Sequence, residues 1–203
     1  MPKDALLIVD AQNDFFPGGA LAVPQGDEII EPVKIMVAYA TNNQMLVVAS
    51  RDWHPAETNH FETWPVHCVQ NTWGARLHSR LKLYELPPWK MVIVSKGTKK
   101  DEDAYSAFQG GSDTGGWKGM KLQYILKAQG IEKLFVCGLA TDYCVKATVL
   151  DALRLGYKVV VLEDAIRGVA PDTTAAAINE MKDAGAIFAT TDTVLGFYTP
   201  PYE

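Results

Sequence analysis

The sequence lacks most of the features that place a protein in a class at sight. Its 203 residues include only three cysteines, Cys68, Cys137 and Cys144. An odd, small number in a chain of this length argues against a disulfide framework and for a reducing, cytoplasmic setting. No apolar run approaches the roughly 20 residues that cross a bilayer, so no membrane partner is expected. The opening MPKDALLIVDAQ turns acidic too soon for a signal peptide. Lysine and arginine total 19 against 24 Asp plus Glu and are scattered, so no basic stripe invites nucleic acid. There is no P-loop, no G-x-G-x-x-G and no H-E-x-x-H. Histidine is scarce too, at four, yet His54, His60 and His67 crowd one stretch, ASRDWHPAETNHFETWPVHC (49–68).

What is present reads as one α/β domain spanning 1–203. Hydrophobic residues at 48% and charged residues at 21% suit a soluble globular core. Six short apolar runs predict strands at 5–9, 45–50, 91–94, 134–138, 158–163 and 186–190. They are continuously apolar, as parallel strands covered on both faces must be. Helices are predicted between them over 32–40, 118–128, 142–155 and 172–184. Pro32, Gly130, Gly156 and Gly185 punctuate their ends, and Asp172 is placed to cap the last. The alternation implies an open sheet with right-handed crossovers. Two long loops, about 51–88 and 97–116, are unusual inside a compact domain and point to function.

In open parallel sheets ligands bind beyond the carboxyl ends of the strands. Asp10 follows the first strand, Asp52 and His54 the second, Lys96 the third, and GLATDYC, ending at Cys144, the fourth. An acid, a cation and a thiol on one rim can make a nucleophilic site. Taken singly, each has a plainer reading as a turn residue, a surface lysine or a small buried hydrophobe. The plainer reading is kept for Cys137 and Cys68, while His78 is assigned to a helical surface without a role. Cys144 differs because it falls in the first turn of a helix, where backbone amides and the macrodipole favour a thiolate and can hold an oxyanion. Asp52 and His54 are two apart, on one side of an extended chain, with His60 and His67 downstream. These donors suit zinc, iron or manganese.

Several stretches together, LLIVDAQNDFFPGGALAV, SRDWHP, WPVHCVQNT, SKG, DAYSAFQG and GLATDYCVKATVLDALRLGY, resemble the nicotinamidases of the isochorismatase-like cysteine hydrolase superfamily. The resemblance runs from about residue 5 to 189. It implies a three-layer α/β/α fold with a six-stranded parallel sheet. It also implies hydrolysis of nicotinamide to nicotinate and ammonia, in NAD salvage, through a cysteine thioester. Asp10, Lys96 and Cys144 match the catalytic triad, and the amides of Ala140 and Cys144 the oxyanion hole. Leu139–Ala140 matches a cis bond beside the substrate. Phe15, Trp64 and Tyr105 match the aromatic pocket walls. Asp52, His54 and His67 match ligands of one divalent metal, zinc first, with iron or manganese as alternatives. His60 matches a fourth ligand in members carrying HF at this spacing; in others water takes that place, and this chain combines both patterns. The family ranges from monomers to larger rings, which leaves a homo-oligomer open.

Three rival readings come with this one. The chain could be a related cysteine amidohydrolase acting on a carbamoyl or ureido compound, against which the D-x-H motif argues. It could be a zinc hydrolase with Cys144 a bystander. It could be an inactive binding module, against which the intact Asp10, Lys96 and Cys144 argue.

Overall fold

The computed structural model describes residues 3–87 and 89–196. Pro88, the last residue of the first predicted loop, and residues 1, 2 and 197–203 of the predicted domain lie outside them. The strands are β1 (Lys3–Val9), β2 (Leu46–Asp52), β3 (Met91–Lys96), β4 (Gly111–Ser112), β5 (Ile131–Leu139), β6 (Lys158–Arg167) and β7 (Ile187–Ala189). The helices are α1 (Ile30–Asn42), α2 (Leu122–Ala128), α3 (Lys146–Arg154), α4 (Pro171–Asp183) and α5 (Thr191–Gly196). The strands form one sheet in the order β4-β3-β2-β1-β5-β6-β7.

Both faces of the sheet are covered, which explains the unbroken apolar strands. Alternate residues of β1 point opposite ways. Leu6 and Ile8 pack with Ile30, Val33 and Met36 of α1 and Val194 of α5. Ala5, Leu7 and Val9 pack with Leu122 and Ile125 of α2, Val149 of α3 and Met181 of α4. Each fully buried leucine or isoleucine contributes about 1.5–3 kcal/mol relative to exposure. The three-layer α/β/α arrangement matches the expectation.

The strand count does not. Among the described residues there are seven strands, not six, because β4 pairs antiparallel with β3 through Val94–Ser112 and Ser95–Gly111. Two residues carry no readable periodicity, so β4 hid inside a predicted loop. The helix predicted from Lys118 begins at Leu122. The residues before it are held to β4 instead, with the Ser112 amide donating to Met120 O at 2.9 Å. The helix predicted from Asp142 starts one residue earlier with a π turn over Thr141–Val145, in which the Val145 amide donates to Ala140 O at 3.1 Å. Asp142 does not cap its own helix. Its carboxylate accepts from the Val169 and Ala170 amides and from Thr173 Oγ1, holding the lead-in to α4, whose N-cap is Ala170 and not Asp172 as expected. His78 is not on a helix surface: its backbone is extended and its ring lies 4.3 Å from that of Phe16.

The sheet order explains where a site forms. Chain connections run outward from β1 through β2 to β3 on one side and from β5 through β6 to β7 on the other. The β1–β5 border is therefore a topological switch point, where a crevice opens at the carboxyl ends of the strands. Gly138 permits the close approach there. It sits at φ +119°, and a Cβ on it would lie 2.0 Å from Val9 O.

Candidate active site

The sheet register sets the site out as a row. Lys96 ends β3 and stands directly opposite Asp52, which ends β2. Asp10 follows β1 in a left-handed conformation at φ +46°, which aspartate tolerates better than most residues. Cys144 follows β5, in the π turn beyond the Leu139–Ala140 bond, which is cis. Four residues scattered over 135 positions thus meet at one rim.

Lys96 is the centre of this row. It is fully buried, and its Nζ lies 2.9 Å from Asp10 Oδ2, 3.3 Å from Ala104 O and 3.5 Å from Cys144 Sγ, with Asp52 Oδ1 in closer contact. Burial opposes the ammonium charge, but Asp10 and Asp52 together outweigh it and raise the Lys96 pKa well above that of a free lysine. The lysine is therefore a fixed cation. Asp10 is raised instead, by burial first, against the pull of Lys96 and of Ser50, whose hydroxyl donates to Asp10 Oδ1 at 2.7 Å. Burial likewise lifts the Cys144 thiol well above its ordinary value, despite Lys96. Its position in the first helical turn favours a thiolate, but burial outweighs that preference. The structure gives a protonated thiol beside a carboxylate of raised basicity, an arrangement that requires proton transfer to make the nucleophile.

The crowded histidines converge next to this row. Donor atoms of His54, His60 and His67 all lie within 4.8 Å of one another. Asp52 faces both groups: Oδ1 toward Lys96, and Oδ2 at 3.9 Å from both His54 Nε2 and His67 Nε2. All three Nδ1 atoms are engaged, His54 with Gly97 O at 3.1 Å, His67 with Pro65 O at 2.7 Å and His60 with Asp103 Oδ1 at 2.7 Å. A carbonyl or a carboxylate can only accept, so each Nδ1 carries the hydrogen and each Nε2 is the nitrogen left to face the cluster. His54 Nε2 is buried without a hydrogen-bond partner. Burial lowers the pKa of His67 and takes that of His54 down to about 4, keeping both rings neutral. Neutral imidazoles beside one carboxylate oxygen fit a divalent cation. A second group of candidate ligands, Asp10, Asp52 and Cys144, does not need one, since the Lys96 ammonium already contacts all three. Gly97 completes the fit: at φ +61°, any Cβ would strike the His54 ring at 2.5 Å.

A pocket opens over both groups. Phe15, Trp64, Tyr105, Ala140 and Cys144 line it together with Asp52, His60 and His67. Leu139 is fully buried and is not part of the wall. Trp64 Nε1 donates to Tyr105 Oη at 3.0 Å, joining the two long loops above the cavity. Sequence reasoning missed further wall residues, among them Leu21, Val23, Tyr143 and Val169. It also missed the supports. Gln12 Nε2 donates to Asp52 O at 2.7 Å while its Oε1 accepts from the Asp52 amide at 2.7 Å. Asp14 Oδ2 accepts from the Cys68 amide at 2.7 Å, pinning the residue after His67. Buried Gln12 and Asp14 lie within the quoted DAQNDFF stretch, but only the folded chain shows what they hold.

A family model for the isochorismatase domain matches residues 4–193. The nicotinamidase of Escherichia coli strain K12 is 42% identical over 211 residues, covering 94% of this chain and 96% of that protein. A solved pyrazinamidase of Pyrococcus horikoshii, in complex with zinc, superposes with a TM-score of 0.82 at 42% identity, over 93% of this chain and 99% of that one. PnC1 of L. infantum, in complex with nicotinate, superposes at 0.79 with 36% identity, over 94% of each chain. With its fold and nearly its whole length in common with these proteins, the chain belongs to the isochorismatase family.

Proposed function

We propose that this chain is a metal-dependent cysteine amidohydrolase that converts nicotinamide to nicotinate and ammonia, in NAD salvage. The observation that carries the reading is the single lysine that touches Asp10, Cys144 and Asp52 at once, joining a nucleophile and its base to a histidine cluster in one aromatic pocket. The nicotinamidase and pyrazinamidase relatives support it. Residues 1–203 act in it as one domain, with active-site loops at about 51–88 and 97–116. Three free cysteines fit a reducing, cytoplasmic location, and among the described residues no helix is long and apolar enough to cross a membrane.

Asp10 takes the proton of the Cys144 thiol. The thiolate attacks the carboxamide carbon, and the Ala140 and Cys144 amides receive the charge on the oxygen. The Ala140 carbonyl accepts from the Tyr143 and Val145 amides, the donors either side of Cys144 in sequence, which supports that assignment. As the C–N bond breaks, Asp10 gives its proton to the departing amine, leaving ammonia and a thioester. Asp10 then takes a proton from water as the water attacks the thioester, and returns it to Cys144 as nicotinate leaves. Lys96 holds its charge beside Asp10 and the sulfur throughout. Phe15, Trp64 and Tyr105 confine the ring. Asp52, His54, His67 and His60 would hold one divalent metal, zinc first and iron or manganese as alternatives. Once bound, it would supply a Lewis-acid partner for the pyridine nitrogen and so orient the ring.

Two results are expected. With metal in excess, kcat/KM for nicotinamide should fall toward acid with an apparent pKa above the 3.8 of an ordinary aspartate. Asp10 works only when unprotonated, so activity is lost as pH falls through its raised value; an acid limb at or below 3.8 would contradict its role as the base. Removing metal should raise KM and lower kcat/KM steeply for nicotinamide, because the buried ring nitrogen loses its partner. Benzamide, which has no ring nitrogen, should be a poor substrate of the loaded enzyme and lose little more on chelation. His54→Ala and His67→Ala should mimic chelation. Equal losses for the two substrates, with circular dichroism unchanged, would remove the ring-orienting role.

A further inference from the structure

The three histidines of the cluster are not held alike. His54 and His67 lean on backbone carbonyls, of Gly97 and Pro65. His60 alone leans on a side chain: its Nδ1 lies 2.7 Å from Asp103 Oδ1, with the His60 side chain 5% exposed and that of Asp103 63% exposed. We propose that Asp103 is a positioning residue for the metal site, acting only through His60. The proposal rests on the reading of the histidine cluster as a metal site.

The run KKDEDA (99–104) looks in sequence like a solvated acidic patch, but each of its acids has a separate partner. Asp101 Oδ1 accepts from Asn59 Nδ2 at 2.9 Å. Glu102 Oε2 accepts from the Thr98 amide and hydroxyl. Asp103 takes His60. Two more bonds zip the same segments together: the Asn59 amide and Thr58 Oγ1 both donate to Lys100 O at 2.9 Å. Thr58 in turn accepts from the His60 amide at 3.3 Å. The second long loop therefore delivers a carboxylate to a histidine of the first. The carboxylate fixes the hydrogen on Nδ1, aims the Nε2 lone pair at the cluster and makes the ring a stronger donor. A backbone carbonyl would fix the ring but add no charge. Without Asp103 the proton can sit on either nitrogen, and the ring has no bond holding its Nδ1.

The test is competition for zinc between metal-free protein and a chromophoric chelator, which reads affinity without reference to turnover. Asp103→Ala should weaken zinc binding about 10- to 100-fold. Asp103→Asn should lose less, since an amide oxygen still accepts from Nδ1. His60→Ala should lose at least as much as Asp103→Ala, and the double variant no more than His60→Ala. Asp101→Ala removes the same charge two residues away and should stay within about twofold of wild type, separating a specific contact from general electrostatics. Wild-type affinity in Asp103→Ala, an equal loss in Asp101→Ala, or a further loss in the double variant would each overturn the proposal while leaving the metal site standing. A wild-type protein that takes up neither zinc, iron nor manganese would overturn the metal reading and this proposal together.

Discussion

Cys144→Ala should lower kcat for nicotinamide by at least about ten-thousandfold while leaving the fold intact, because loss of a covalent nucleophile removes the pathway rather than a contact. The side chain is small and buried, and alanine keeps its Cβ and removes only the sulfur. That sulfur is the thiol lying 3.5 Å from Lys96 and within 4.8 Å of a donor atom of Asp10. The other two cysteines serve as internal controls. Cys137 lies inside β5, fully buried, with its pKa raised by burial. Cys68 is buried too, and its pKa is raised well above the ordinary value for the same reason. Cys137→Ser and Cys68→Ser should therefore cost far less activity per folded molecule. Retention of more than about a hundredth of the rate by folded Cys144→Ala would contradict the nucleophile assignment.

Lys96→Ala should damage both chemistry and stability. The lysine is the cation between two fully buried or nearly buried carboxylates, Asp10 and Asp52. Removing one partner of a buried ion pair leaves an uncompensated charge and costs about 3–5 kcal/mol. The carboxylates respond by binding protons, which takes Asp10 out of its basic form and leaves Cys144 without an acceptor. A fall in kcat of about a thousandfold or more, together with a lower Tm, is the expected pair of results. Asp10→Asn should be as severe in rate. The double variant Asp10→Asn/Cys144→Ala should lose little beyond the worse single, because the groups act as a unit. A Lys96→Ala protein with normal Tm and a rate within tenfold of wild type would show that the lysine only fills space.

The candidate site residues were legible because each lies at the end of an apolar run or in the turn that follows it. Asp10, Asp52 and Lys96 mark strand ends, and Cys144 lies in the turn that leads from β5 into the next helix; parallel sheets place sites at those ends. Their mutual contacts were not legible, because sequence does not give strand order. That β3 lies beside β2, with Lys96 opposite Asp52, follows only from the register. The sequence therefore groups Lys96 with Asp10 and Cys144, and only the fold shows its contact with Asp52. Supports such as Ser50, Gln12 and Asp103 act across 40 or more positions of chain, where no local pattern can announce them. Asp142, where a helix was predicted to begin, has its partners 27 to 31 residues on, at the lead-in to and first turn of α4, which no local pattern shows. The charge state of Cys144 turned on a magnitude. A helix terminus favours a thiolate modestly, and full burial outweighs it.

The most direct test of the account is to mix purified protein with nicotinamide, quench in acid during the first turnovers, and locate any adduct by mass spectrometry while ammonia release is followed in parallel. The account predicts a nicotinoyl adduct on Cys144, absent from Cys68 and Cys137, that disappears as nicotinate forms. Ammonia and nicotinate released at the wild-type rate by a folded Cys144→Ala protein, with no adduct on any cysteine, would contradict it.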